Sequence, residues 1–135
     1  MIQRIQSVWL LLASVCSFLT FKVSFFFGLK AGTNVNESLN ATSSILLIIC
    51  ASAAGLGAFI AIFLYKDRKT QLRITIAALI ISILSLVIYF SQTRNYTGQF
   101  TITAVIAIVI PVLLFLAVRG IWKDQKLVKS LDRLR

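Results

Sequence analysis

The sequence predicts an all-α integral membrane protein with four transmembrane helices and a C-terminal amphipathic cytoplasmic helix. Hydrophobic residues make up 59% of its 135 residues, charged residues make up 13%, and the mean hydropathy is +0.92. Soluble domains contain roughly 45–50% apolar and about 25% charged residues. The apolar residues also form four long stretches of the size that a bilayer requires. We therefore interpret residues 1–135 as a single transmembrane domain.

Each apolar stretch predicts one span. The first covers residues 8–29 and the second residues 45–65, and both reach the roughly 20 residues that cross about 30 Å of hydrocarbon. The third covers residues 74–90 and the fourth residues 100–118. The third is the shortest, yet at about 1.5 Å per residue it still covers ~25 Å. Four crossings place both termini on the same side of the membrane.

The distribution of Lys and Arg predicts which side this is. The chain carries 14 Lys and Arg against 4 Asp and Glu, which gives a net charge of +10. All but three of the bases fall on the side of the termini and of the loop between the second and third stretches. Because cytoplasmic loops are enriched in Lys and Arg, both termini should be cytoplasmic.

The bases of this face are the candidate interaction residues. They should face the anionic lipids of the inner leaflet. Anionic lipid accounts for the charge, so no nucleic-acid partner is expected. The predicted interaction residues are Arg4, Lys66, Arg68, Lys69, Arg73, Arg119, Lys123, Lys126, Lys129, Arg133 and Arg135.

The tail, residues 119–135, carries the pattern of an amphipathic helix from residue 120 onward. Its apolar residues cluster on one arc at 100° per residue, and its bases fill the opposite arc. Asp124 interrupts the apolar arc. Three placements of this helix remain open: on the inner leaflet, on a partner protein, or against the loop between the second and third spans of its own chain.

Small residues in the second stretch predict close helix packing. Small side chains separated by three residues let helix backbones approach each other. The surface can pack inside the bundle of its own chain or form an interface with another chain. The outer loops, residues 28–44 and 91–99, are too short to form a domain, and Pro111 predicts a kink in the fourth span. The predicted packing residues are Ala51, Gly55, Gly57, Ala58 and Ala61.

Few residues could support catalysis or hold a cofactor. The chain has no His, its four acidic residues lie outside the apolar stretches, and its two Cys form no CxxC motif. We therefore predict no catalytic residue, no metal and no cofactor. Lys22 is the only strongly charged residue within a stretch, and its side chain should reach the outer interface. The alternative is a nucleophilic pair with Ser24 or Ser85.

Three segments resemble a known family. They are residues 1–13 (MIQRIQSVWLLLA), residues 65–73 (YKDRKTQLR) and residues 116–135 (LAVRGIWKDQKLVKSLDRLR). Together with the four-span layout, they resemble the uncharacterised Bacteroidota membrane family catalogued as domain of unknown function 4293. The resemblance implies a bacterial inner membrane and no known activity. All three segments lie on the predicted cytoplasmic face, so we predict that this basic face is the interaction surface and that it contacts other inner-membrane proteins.

The function that these observations favour is that of a non-catalytic accessory or stabilising subunit of a larger bacterial inner-membrane complex. It would interact through its basic cytoplasmic face. The alternative is a small oligomeric transporter or channel, which is disfavoured because an ion path needs polar groups at mid-depth and the fourth stretch offers almost none. An intramembrane enzyme would rest on Lys22 alone.

Overall fold

The computed structural model describes the backbone of residues 2–133 and the side chains of residues 5–131 and 133. Four helices and three short strands follow one another along the chain. They are α1 (Ile2–Leu19), β1 (Phe26–Lys30), β2 (Asn36–Leu39), a short 3-10 helix (Ala41–Ser43), α2 (Ile45–Phe63), α3 (Arg68–Thr93), β3 (Tyr96–Phe100) and α4 (Ala104–Asp132).

The four helices form an antiparallel bundle in chain order. Each helix packs against the next one, and α4 closes the ring by packing against α1. The three strands lie at one end of this bundle, which we call the sheet end. The turn between α2 and α3, residues 64–67, lies at the opposite end together with the start of α1 and the last part of α4. We call that opposite end the hairpin end.

The bundle has the surface of a membrane protein. Three helical segments are long and apolar enough to cross a membrane: Ile45–Lys66, Arg68–Thr93 and Ala104–Leu131. The apolar part of α1, Ile5–Leu19, is shorter. Large apolar side chains such as Ile80 are exposed on the outside of the helices, whereas many of the side chains inside are small. This arrangement suits helices that associate in lipid.

Two apolar clusters fill the bundle. The cluster toward the hairpin end combines leucines with alanines from all four helices, which lets the backbones approach. The cluster at the sheet end contains Phe25, which stacks on Tyr89 with ring centroids 4.5 Å apart. Phe26 meets Phe100 edge to face at 5.1 Å. These ring contacts hold the strands against the ends of the helices.

The fold is mostly helical, but it is not all-α as the sequence predicted. The end of the first apolar stretch and the two outer loops form a three-stranded antiparallel sheet in the order β2-β1-β3. In β1, Phe26 and Gly28 are buried and Phe27 and Leu29 are exposed. This alternation has the period of a strand, so an apolar run that predicts a helix by its length forms a strand instead.

A glycine pair sets the close approach of β1 and β3. Gly28 lies directly opposite Gly98 in the register. A Cβ at Gly28 would lie 2.6 Å from the carbonyl oxygen of Thr97, and one at Gly98 would overlap the carbonyl oxygen of Phe27. Any larger residue would push the two backbones apart.

Three helix boundaries also correct the predicted spans. The helix of the first apolar stretch ends at Leu19 instead of residue 29, because the chain turns there and enters the sheet. Helix α3 is longer than predicted, since Asp67 caps it by accepting from the backbone N–H of Thr70 at 3.4 Å. Helix α4 begins at Ala104, after β3, and continues through Pro111 into the tail.

The tail is helical up to Asp132, as its pattern predicted, but it is not a separate helix. It forms the last part of α4, whose 29 residues extend ~43 Å. Gly120 lies within this helix and packs against the Gln6 side chain, whose Cγ would lie 2.9 Å from a Cβ at this position. The direction of the tail is thus fixed by α4.

Candidate functional site

The clearest surface feature is a groove at the hairpin end, between the turn that precedes α3 and the tail. Its volume is about 860 Å³. Four basic residues line it. Lys66 precedes α3, Arg68 and Lys69 begin α3, and Lys129 belongs to the tail. The groove is lined by Lys66, Asp67, Arg68, Lys69, Gln125, Val128 and Lys129.

Two contacts hold the tail beside α3. The Gln125 side-chain amide donates to the backbone carbonyl of Arg68 at 2.7 Å. The Arg68 guanidinium lies 3.8 Å from the Asp124 carboxylate, and the Asp124 side chain is only 15% exposed. Asp124, which interrupts the apolar arc in the sequence, thus pairs with the base that begins α3. Of the three placements left open for the tail, the structure has it against the loop of its own chain.

Asp67 supplies the negative charge in the groove. Its carboxylate accepts from the Thr70 hydroxyl at 2.6 Å, and this hydrogen bond lowers the pKa of Asp67. The carboxyl is therefore ionised at neutral pH. Because it also caps α3, its position is fixed relative to the neighbouring Lys66 and Lys69.

The structure brings together four of the eleven predicted interaction residues: Lys66, Arg68, Lys69 and Lys129 line the groove. The side chain of Arg4 and all of Arg135 lie outside the described residues. The others are exposed at the hairpin end without lining the groove, and they are Arg73, Arg119, Lys123, Lys126 and Arg133.

The predicted packing residues face the interior of their own bundle. Gly57 is half-buried, and a Cβ there would lie 3.3 Å from Cβ of Ala78 on α3. A Cβ at Gly55 would lie 3.2 Å from the Phe18 ring on α1. The surface of α2 that is formed by small residues thus packs against both α1 and α3. Its buried residues are Ala51, Gly55, Ala58 and Ala61.

Buried hydroxyls on α1 are the polar residues that the sequence reasoning missed. Ser14 donates to the carbonyl of Gly55 at 3.1 Å, and Ser17 donates to that of Ala51 at 2.8 Å. Thr20 is also buried. The spacing of three residues between these hydroxyls was the available signal, because residues three apart share a helix face. Ser14 and Ser17 thus join α1 to α2 by hydrogen bonds as well as by packing, whereas the Thr20 hydroxyl donates to the carbonyl of Ser17 at 2.6 Å.

Two small cavities lie in the sheet-end half of the bundle, each of about 10 Å³. The hydroxyls of Thr20 and Tyr89 contribute to both, and Ser82 and Ser85 line one of them. A volume of this size is at the lower limit for one water molecule. The apolar cluster that contains Leu10 and Leu114, both fully buried, lies between these cavities and the hairpin end.

Lys22 lies exposed in the turn that follows α1. The Ser85 hydroxyl, one of the two candidate partners of Lys22, instead donates to the carbonyl of Ser82 at 2.7 Å. Cys16 and Cys50 are free thiols. Within residues 2–133, no three His, Cys, Asp or Glu residues come together as a metal site.

The comparisons with known proteins give a family without an assigned activity. The family model described as "Domain of unknown function (DUF4293)" matches residues 2–134, which is nearly the whole chain. No curated protein and no solved structure matches it.

Proposed function

We propose that this chain, which belongs to the DUF4293 family, is a non-catalytic accessory or stabilising subunit of a larger bacterial inner-membrane complex. It contacts its partner through the exposed bases of the hairpin end. The observation that supports this function is the fixed position of the tail. Because Gln125 and Asp124 tie the tail to Arg68, its bases are presented on an ordered helix and not on a free extension.

The partner surface that we propose is the arc of α4 that faces away from the groove. Arg119, Lys123 and Lys126 fall on this arc at 100° per residue, and all three are exposed. They take no part in the contacts that hold the tail to α3. An acidic surface on a neighbouring subunit would complement them, and charge complementarity of this kind gives specificity and fast association.

The proposal includes four membrane crossings with both termini in the cytoplasm. Helix α1 has 18 residues and extends ~27 Å, which is close to the ~30 Å of a hydrocarbon core. The hairpin end carries most of the bases of the chain, in keeping with the excess of Lys and Arg on cytoplasmic loops. The sheet end then faces the periplasm.

Single cysteines test this orientation. In a chain with both native Cys replaced by alanine, we expect a membrane-impermeant maleimide to label Asn36→Cys in intact cells. Lys69→Cys and Ser130→Cys should react only after the membrane is permeabilised, because they lie at the hairpin end. All three positions are exposed, so access to the reagent is limited by the membrane alone. Labelling of Lys69→Cys with protection of Asn36→Cys would reverse the orientation.

Partner binding is tested by extracting a tagged chain from its native membrane in mild detergent. We expect defined inner-membrane proteins to co-purify, and Lys123→Glu with Lys126→Glu to reduce their yield at least tenfold, because two attractive charges become repulsive. Lys66→Gln with Lys69→Gln is the control, since these bases lie in the groove. A chain that purifies alone, or partners retained by the Lys123→Glu, Lys126→Glu variant, would contradict the proposed function.

A small oligomeric transporter or channel is the second candidate. The hydroxyls around the two cavities are the observation in its favour. Each cavity has room for one water molecule at most, and the close-packed cluster around Leu10 and Leu114 lies between them and the hairpin end. We therefore prefer the accessory function.

A further inference from the structure

We infer that the groove at the hairpin end binds the phosphate head group of an anionic phospholipid. This inference rests on the membrane placement of the proposed function but not on the partner protein. It concerns a different set of side chains from the partner arc of α4. Three properties of the groove favour this ligand: its charge, its depth relative to the bilayer and the nature of its lining.

The charge of the groove favours a phosphate. Four cationic side chains and one carboxylate line it. Arg68 is shared with Asp124, whereas Lys66, Lys69 and Lys129 take part in no ion pair among the described side chains. The N-terminal end of α3 adds the positive potential of the helix dipole on the same side. Three ammonium groups around one opening are suited to bind a phosphodiester, although Lys69 also attracts the Asp67 carboxylate, since Lys binds phosphate as a mobile point charge.

The start of α3 lies at the outer edge of the head-group layer. The apolar part of α3 begins at Ile74, so Lys69 lies about 7.5 Å of helix rise beyond it. The polar layer of a bilayer is about 5–7.5 Å thick on each side. Tyr65 and Trp122, which are 51% and 66% exposed, belong to the same end of the bundle, and aromatic residues are enriched at membrane interfaces. From the outer edge of this layer, the long side chain of Lys69 can extend back to lipid phosphates.

The lining favours a lipid over a protein segment. Val128 is the only apolar residue among the seven that line the groove. Stable protein contacts usually centre on buried aromatic or aliphatic anchors that fill an apolar pocket. A lipid needs no such pocket, because its acyl chains remain in the bilayer and only its head group enters the groove. An acidic protein segment is therefore an outcome of the test and not part of the inference.

The test compares two variants with the same loss of charge. The full chain is purified in a neutral detergent and titrated with dioleoyl phosphatidylglycerol or dioleoyl phosphatidylcholine, and bound lipid is counted by native mass spectrometry. The groove variant carries Lys66→Gln, Lys69→Gln and Lys129→Gln. The control variant carries Arg119→Gln, Lys123→Gln and Lys126→Gln, which lie outside the groove. Both variants keep Arg68, because it holds the tail.

We expect the groove variant to bind phosphatidylglycerol about 100-fold more weakly, at roughly fivefold per base. The control variant should lose less than tenfold, and phosphatidylcholine should bind each protein weakly. Asp67→Asn should raise the affinity for phosphatidylglycerol about fivefold, since Asn caps α3 as well as Asp does and the repulsive charge is gone. Far-UV circular dichroism of every variant should match that of the unmodified chain.

Equal losses in the two variants would overturn the inference, because the attraction would then come from the whole basic face. Unchanged binding in the groove variant, or equal binding of the two lipids, would overturn it as well. If the groove variant instead loses a co-purifying protein while keeping its lipid, the groove binds an acidic protein segment. These outcomes differ from the one that would contradict the proposed function, in which partners still co-purify after Lys123 and Lys126 are substituted.

Discussion

Replacing Gly98 by valine is expected to detach β3 from β1 and to lower the free energy of unfolding by about 3 kcal/mol. The new Cβ would overlap the carbonyl oxygen of Phe27 and lie 2.5 Å from Cα of Gly28. Both atoms belong to the backbone of the central strand, so no side chain can rotate away to relieve the contact. Opening the ladder would also expose Phe26, which is buried and packs on Phe100.

Unfolding in detergent micelles by added SDS, followed by circular dichroism, would measure this change. Gln99→Val is the matched control, because Gln99 is exposed on the same strand and valine suits a strand. We expect the control to stay within about 0.5 kcal/mol of the unmodified chain. Equal stability of Gly98→Val and Gln99→Val would show that the two strands do not approach as closely as the structure indicates.

Replacing Gly55 by leucine should separate α1 from α2 at the middle of the bundle. A Cβ at this position would already lie 3.2 Å from the Phe18 ring and 3.3 Å from Cβ of Ser17. The remaining atoms of leucine would force the helices apart and lengthen the hydrogen bond from Ser14 to the Gly55 carbonyl. We expect a loss of about 3 kcal/mol, mostly from overpacking, because hydrogen bonds between membrane helices contribute only about 0.6 kcal/mol on average.

The neighbouring residue provides the control for this substitution. Leu56 is half-exposed on the outer side of α2, so Leu56→Phe adds bulk where lipid can adjust. The same SDS titration should give a midpoint near that of the unmodified chain for Leu56→Phe and a much lower one for Gly55→Leu. A Gly55→Leu protein as stable as the Leu56→Phe protein would mean that α2 does not use this surface against α1.

The sequence was sufficient to predict the helices α2 and α3 and the general character of α4. Long apolar stretches such as residues 45–65 leave few alternatives, because backbone groups in hydrocarbon must be satisfied within the segment. The small residues of α2 and the bases of the hairpin end could also be identified from the sequence, because both are local properties of composition and spacing. Capping was also readable in principle, since Asp67 stands directly before α3.

The end of the first stretch could not be predicted in this way. Residues 20–29 are apolar enough to continue α1, and a short apolar run does not distinguish a helix from a strand. The decision depends on partners far along the chain, because β1 pairs with β2 and β3. Gly98 fits against Gly28 only when the chain segments that follow α1 and α3 meet at the same end of the bundle.

The groove was decided by the tertiary structure in the same manner. The sequence is sufficient to place Lys66, Lys69 and Lys129 on the basic side of the molecule. It did not determine that they share one opening, because Lys129 belongs to the tail and the other two border the turn before α3. The contacts of Arg68 with Asp124 and Gln125 bring these segments together. Local composition thus fixed the apolar and basic regions, whereas long-range packing alone placed distant side chains at a common site.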